Sequence, residues 1–195
     1  AMVFVTTGAV DQQVSIWTNR VYYFFSQTKK NHVSLQLPDG SLTGAKWSTP
    51  LEKKLGILQI MSKIKQQPAD DIPKILSVLA AALGVNRKSD PWQEMPMLNW
   101  DQIRGLNNSD LITIAAHTVD HPILSRCSAE RQEQELTQSK SRIETELNTL
   151  CKYMAYPNGQ NGDFNRDTME IAAKAGYKAA WTFSPHTCYT DCVQF

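Results

Sequence analysis

A chain of 195 residues is long enough for one domain with a substantial core, and 42% hydrophobic with 20% charged residues is an ordinary globular composition. The net charge of +1, with no basic run longer than Lys29-Lys30 or Lys53-Lys54, gives nucleic-acid binding no support. The longest apolar stretch, Ile75 to Val85, is about half of what a membrane-spanning helix needs, and no charged region leading into an apolar run marks a signal peptide.

Val3-Phe4-Val5 reads as a buried strand within 2–7, ending at Gly8. Domains seldom open on a core strand, because chain ends fray. The expectation is therefore a chain that lacks a front piece. Residues 13–96 read as a large insertion. It opens with an aromatic helix from Ile16 to Phe25, followed by a hairpin of His32 to Leu37 and Leu42 to Trp47 around Pro38-Asp39-Gly40. Thr49, Pro50 and Glu52 mark a capped helix start, with Leu51, Leu55, Leu58, Met61 and Ile64 as its expected apolar stripe. A further helix runs from Ile72 to Leu83, where Gly84 can end it. Asp90, Pro91 and Pro96 mark a loop back to the core.

From residue 97 the elements alternate. A short helix around Trp100 to Leu106 precedes a strand, Leu111 to Ala116. Ser128 can cap a long helix reaching about Leu150, with Leu136, Ile143, Leu147 and Leu150 on one side. A strand from Tyr153 to Tyr156, a helix from Arg166 to Ala175 and a strand from Tyr177 to Phe183 complete the series. Strands separated by helices imply parallel pairing with right-handed crossovers, an α/β class whose ligands bind at the C-terminal strand ends. The organisation expected is a single domain over 1–195, with core motifs in 97–184 and the insertion at 13–96.

His117-Thr118-Val119-Asp120-His121-Pro122 follows directly from a strand. An extended chain would hold the two histidines roughly 13 Å apart, whereas zinc ligands reach the ion at about 2.0–2.1 Å. Sharing an ion therefore requires the backbone to curl after His117, and Pro122 biases His121 away from the α region. Two histidines satisfied by hydrogen bonds at a strand end is an equally open reading of the spacing. Asp120 is open as a ligand, an orienting partner or a turn residue. Ala155-Tyr156-Pro157-Asn158-Gly159 ends another strand, where free backbone N–H groups after a rigid proline can face a developing oxyanion or simply make a turn. Cys188 and Cys192, four apart beside His186, lack the second ligand pair usual for zinc, and four cysteines make no disulfide framework in a chain of this size.

Taken in order, strand, His-Thr-x-x-His-Pro, long capped helix, strand, Ala-Tyr-Pro-Asn-Gly, helix, Ala-Gly-Tyr and strand resemble the polysaccharide deacetylase family, the NodB-homology or family 4 carbohydrate esterases. Phe4-Val5-Thr6-Thr7-Gly8 and Met97 to Ile103 look like its flanking segments, so the resemblance covers residues 2–11 and 97–184. It implies an irregular (β/α) barrel, incomplete at the N-terminus and carrying a helical and hairpin insertion. It further implies a divalent metal, often zinc, held by His117 and His121, with Thr118 steadying the loop and Asp120 and Tyr156 supporting it. Asn158, behind Pro157, would contribute its backbone N–H to the oxyanion. The implied substrate is an N-acetylated polysaccharide or oligosaccharide that loses acetate when water attacks its acetamide carbonyl. The setting implied is bacterial, extracytoplasmic or at the cell envelope.

The family's Thr-Phe-Asp-Asp-Gly motif, source of the general base and third metal ligand, is absent, and the surroundings of His186 do not match its late general-acid motif. The expectation is a chain inactive by itself, with a homodimer through the strand Val3 to Thr7 as one way to cover an open edge. The other readings are an amidohydrolase acting on a small amide or cyclic ureide, and a non-catalytic carbohydrate-binding or interaction remnant.

Overall fold

A computed structural model describes residues 1–183 except 87, 89 and 95; Cys188, Cys192 and His186 lie outside the described residues. In chain order the elements are β1 (Met2–Val5), α1 (Thr7–Gln12), α2 (Trp17–Gln27), β2 (His32–Gln36), β3 (Leu42–Lys46), α3 (Pro50–Ile64), α4 (Ile72–Leu83), α5 (Trp100–Asn107), β4 (Thr113–Ala116), α6 (Ala129–Leu147), β5 (Tyr153–Ala155), α7 (Arg166–Lys174) and β6 (Ala179–Trp181). They fall into two compact units, one built from Ala1–Gln13 and the chain from Met97 onward, the other from Val14–Pro96.

The first unit is α/β. Its sheet has the order β1-β4-β5-β6, every pair parallel, with Val5 opposite Ala116, Ala116 opposite Met154 and Met154 opposite Ala180. Among the described residues the sheet has two edges, β1 and β6, and does not close. Because side chains alternate along a strand, this register sorts them cleanly. Val5, Ile114, Ala116 and Met154 point into a core shared with Ile103 of α5, Leu136 and Ile143 of α6, and Ala172 of α7. Phe4, Ala115, Tyr153, Ala155, Ala179 and Trp181 lie on the opposite face. There the Phe4 ring from one edge strand comes within 6.0 Å of the Trp181 ring from the other. Flat strands spaced about 4.8 Å apart would put their backbones about 14 Å from each other. The small alanines between them let the sheet curl and the two rings meet over it.

Two readings of this unit are corrected. The first strand does not run to Thr7: it stops at Val5, and Thr7-Gly8-Ala9-Val10 begin a helix. Leu150 is not on the buried side of α6, which ends at Leu147. Asn148 turns left-handed at φ 50°, and Leu150 is 75% exposed.

In the second unit the hairpin β2–β3 is antiparallel, pairing His32 with Lys46 and Gln36 with Leu42. Asp39 fixes its turn by accepting from the Ser41 N–H and hydroxyl at 2.9 and 2.6 Å. The Thr49–Glu52 capping box opens α3 as its sequence predicts. The expected stripe of α3 is wrong in phase, however. Met61 and Ile64 are buried, but Leu51, Leu55 and Leu58 are exposed, and Gly56 and Ile60 complete the inward face. The cause is a close approach: a Cβ on Gly56 would stand 2.6 Å from the Ala45 Cβ, so the helix turns its one side-chain-free position towards β3. Trp17 and Trp47 belong to the unit's core with Phe24, Phe25, Ile60 and Leu79, whereas Tyr22 is exposed and Tyr23 donates its hydroxyl to Glu94 at 2.7 Å.

Candidate metal and active site

The C-terminal ends of β1, β4 and β5 converge on the segment 117–121. His117 donates its backbone N–H to Val5 O at 2.9 Å, continuing the β1–β4 pairing one residue beyond the strand. The chain then reverses within three residues, for Thr118 and His121 both have positive φ, 66° and 58°. For a β-branched threonine this is a strained backbone, about 1–3 kcal/mol, and hydrogen bonds hold it there. Thr118 Oγ1 donates to His117 O at 2.5 Å and accepts from the His121 N–H at 3.1 Å. From the other side, the Thr7 and Gly8 N–H groups donate to Thr118 O and Val119 O at 3.1 and 2.9 Å. Gly8 is required for this contact, since a Cβ there would lie 2.8 Å from Val119 O and from Asp120 Oδ1.

The result is a curled pair. The His117 and His121 rings meet edge to face with centroids 4.8 Å apart. Nδ1 of His117 lies 2.8 Å from Ala155 O. A carbonyl only accepts, so Nδ1 carries the proton and Nε2 keeps its lone pair, the arrangement by which metal-binding histidines are oriented. Burial lowers the pKa of His117, only partly offset by that hydrogen bond, so the ring is neutral at neutral pH. His117 therefore fits as a donor to a divalent ion, with the His121 ring beside it as the second imidazole. Among the described residues, no group of three His, Cys, Asp or Glu is placed to hold one.

Asp120 points away from this role: it is exposed and ion-paired with Arg131. The residue that anchors the loop is Glu135, on the second turn of α6. Its Oε2 accepts from the N–H groups of Val119 and Asp120 at 2.7 and 2.9 Å, and its Oε1 accepts from Arg131 Nε at 3.0 Å. Burial raises its pKa, against the opposing pull of the Asp120 N–H and Arg131. The sequence carried a signal for it, because residues 132, 135, 139 and 143 form an inward stripe of α6 and only one of them is an acid.

Pro157-Asn158-Gly159 leaves the end of β5, the strand beside β4, and the two loops are joined through the His117–Ala155 bond. Asn158 has a positive φ of 61°, and its side-chain amide donates to Asp163 Oδ2. The expectation of several free N–H groups after the proline needs correction: Gly159 N–H donates to Pro157 O at 2.7 Å and Gln160 N–H to Asp163 Oδ2 at 2.9 Å. Tyr156 is buried and stacked on Phe164 at 4.2 Å, with no hydrogen-bond partner for its hydroxyl among the described residues.

A sequence model of the polysaccharide deacetylase family matches residues 62–180, more than half of the chain. The chain belongs to the polysaccharide deacetylase family. The limits of the match differ from the segments carrying the resemblance in the sequence, since they take in 62–96 and leave out 2–11. The Bacillus subtilis (strain 168) protein YxkH, named as a polysaccharide deacetylase, is 29% identical over 80 residues. That match covers 41% of this chain and 28% of YxkH, so the chain spans less than a third of that relative's length. Among solved structures, the BpsB deacetylase domain from Bordetella bronchiseptica is similar at 19% identity and a TM-score of 0.42, over 62% of each chain. IcaB from Ammonifex degensii is similar at 23% identity and a TM-score of 0.39, over 44% of this chain and 40% of that one.

Proposed function

We propose that the 117–121 loop of this family member is the histidine part of a metal-dependent site that removes acetyl groups from N-acetylated sugars of a polysaccharide. The observation that carries the reading is the fixed tautomer of His117, which leaves Nε2 its lone pair while the ring meets that of His121 edge to face. A divalent ion bound there, zinc being suited to imidazole, would supply Lewis acidity to the hydrolysis. His117 and His121 would hold it, Ala155 O orients the first ring, and Glu135 keeps the loop curled. Asn158, at the neighbouring strand end, would supply a backbone donor to the carbonyl oxygen as negative charge develops.

With two histidines and no third described ligand, the reading includes weak zinc binding and low turnover by the 195-residue chain on its own. A positioned carboxylate base typically contributes about 10²–10⁴-fold, and neither Asp120 nor Glu135 is available for that work. Calorimetric zinc titration of the wild type and of His117→Ala with His121→Ala tests the site. Equal affinity of the two proteins removes the assignment. Acetate release from chitooligosaccharides is then compared between this chain and a version lengthened upstream in its natural sequence. Comparable turnover by both removes the low-turnover part, and no turnover by either removes the deacetylase reading. A dimer through the outer edge of β1, the four residues Met2–Val5, is the associated proposal for assembly, read out by the mass in solution.

A further inference from the structure

Resting on the deacetylase reading, we infer that Trp181 is a sugar-stacking residue that positions the glycan ring beside the two histidines. The sheet register puts His117, Ala155 and Trp181 in one row on one face. Ala155 pairs with Trp181, and Ala155 O receives the His117 Nδ1–H. His117 and Trp181 are therefore two strand spacings apart, about 10 Å between backbones, with the small Ala155 between them in the row. The Phe4 ring lies close to both, its centroid 6.2 Å from that of His117 and 6.0 Å from that of Trp181.

The indole is held but not covered. Phe4 meets it at 54°, and Tyr153 meets it edge to face at 86° and 5.6 Å, yet 42% of the residue stays exposed. Large aromatic residues that serve only the core lose nearly all their exposure, as Trp17 and Trp47 do at 8% and 7%. A ring fixed by two neighbours and still partly exposed binds with little loss of conformational freedom, the usual property of an aromatic anchor. The C–H face of a pyranose offers the apolar surface such a ring takes. Stacked on Trp181, the sugar can direct its acetamido group across Ala155 towards His117 and His121, with the Pro157 loop at the same strand end.

The test is a titration of the full 195-residue chain with the tetramer of N-acetylglucosamine, followed by NMR of the indole N–H resonances, with Trp181 assigned through Trp181→Phe. The expected result is a dose-dependent shift of the Trp181 resonance. Affinity should fall on the order of tenfold in Trp181→Ala and largely survive in Trp181→Phe. Zinc affinity should be unchanged in both variants, which separates lost stacking from a collapsed loop. His117→Ala with His121→Ala should lose zinc yet still bind the sugar. Binding by Trp181→Ala equal to wild type, or no shift at millimolar sugar, overturns the inference. A failed zinc titration with intact Trp181-dependent sugar binding would instead remove the metal reading and leave the stacking role standing.

Discussion

Replacing Glu135 is the sharpest perturbation of this site, because one buried carboxylate holds the loop between both histidines. Its side chain is 1% exposed, and it accepts from two consecutive backbone N–H groups and from Arg131. Glu135→Ala leaves those N–H groups without an acceptor, at about 1–3 kcal/mol for one that stays buried. Asp120 is exposed and its N–H can turn to water, so the full penalty falls on Val119. Arg131 is 34% exposed and keeps Asp120 as a partner, so its loss is small. With the vacated methylenes added, the expected cost is about 2–4 kcal/mol, within the ~5–15 kcal/mol a domain has in hand. Glu135→Gln keeps one oxygen for the backbone and turns an amide towards the guanidinium, so it should cost about 1–2 kcal/mol. Urea unfolding with chelator at neutral pH measures both, and zinc titration should show affinity falling in the same order. The pH dependence supplies a second check. The carboxyl's folded pKa is raised above its ordinary 4.5. As pH rises through the interval above 4.5, the unfolded chain therefore binds fewer protons than the folded one. Wild-type stability should decline there relative to Glu135→Gln. A cost below about 0.5 kcal/mol for Glu135→Ala would refute the reasoning and show that Thr6 to Gly8 suffice to hold the loop.

Gly8→Ala should weaken zinc binding more than it lowers stability, because its methyl meets Val119 O at 2.8 Å and must push the histidine loop away; calorimetry beside urea unfolding separates the two effects. Tyr156→Phe should leave stability equal or raise it by about 1 kcal/mol, since the hydroxyl is buried without a partner among the described residues, and a lower unfolding midpoint would show that the hydroxyl is bonded. Zinc affinity through His117 should hold until pH falls below the ordinary imidazole value of 6.5, because burial keeps that ring neutral. Titrations across pH 5 to 8 check this. In the metal-free protein the same shift has a definite sign: below 6.5 the unfolded chain protonates first, so stability falls with falling pH, and His117→Gln should lessen that fall.

The sequence by itself determined the α/β class, the run of parallel strands and helices, and the place of the candidate histidines. These depend on local signals: the capping pairs Thr49–Glu52 and Ser128, the stop at Gly84, and histidines placed directly after a strand. A curl between His117 and His121 was legible as the condition for their sharing an ion, and the backbone does curl there. Tertiary structure decided what depends on contacts between distant residues. The phase of α3 followed from Gly56 meeting Ala45, which a periodic stripe of leucines cannot reveal. Gly8 as the seat of the loop, and Glu135 as its anchor, came from pairings more than 100 and 15 residues apart. The row of His117, Ala155 and Trp181 exists only through strand register. A register is a sum of hydrogen bonds between segments, and the linear order of residues does not contain it.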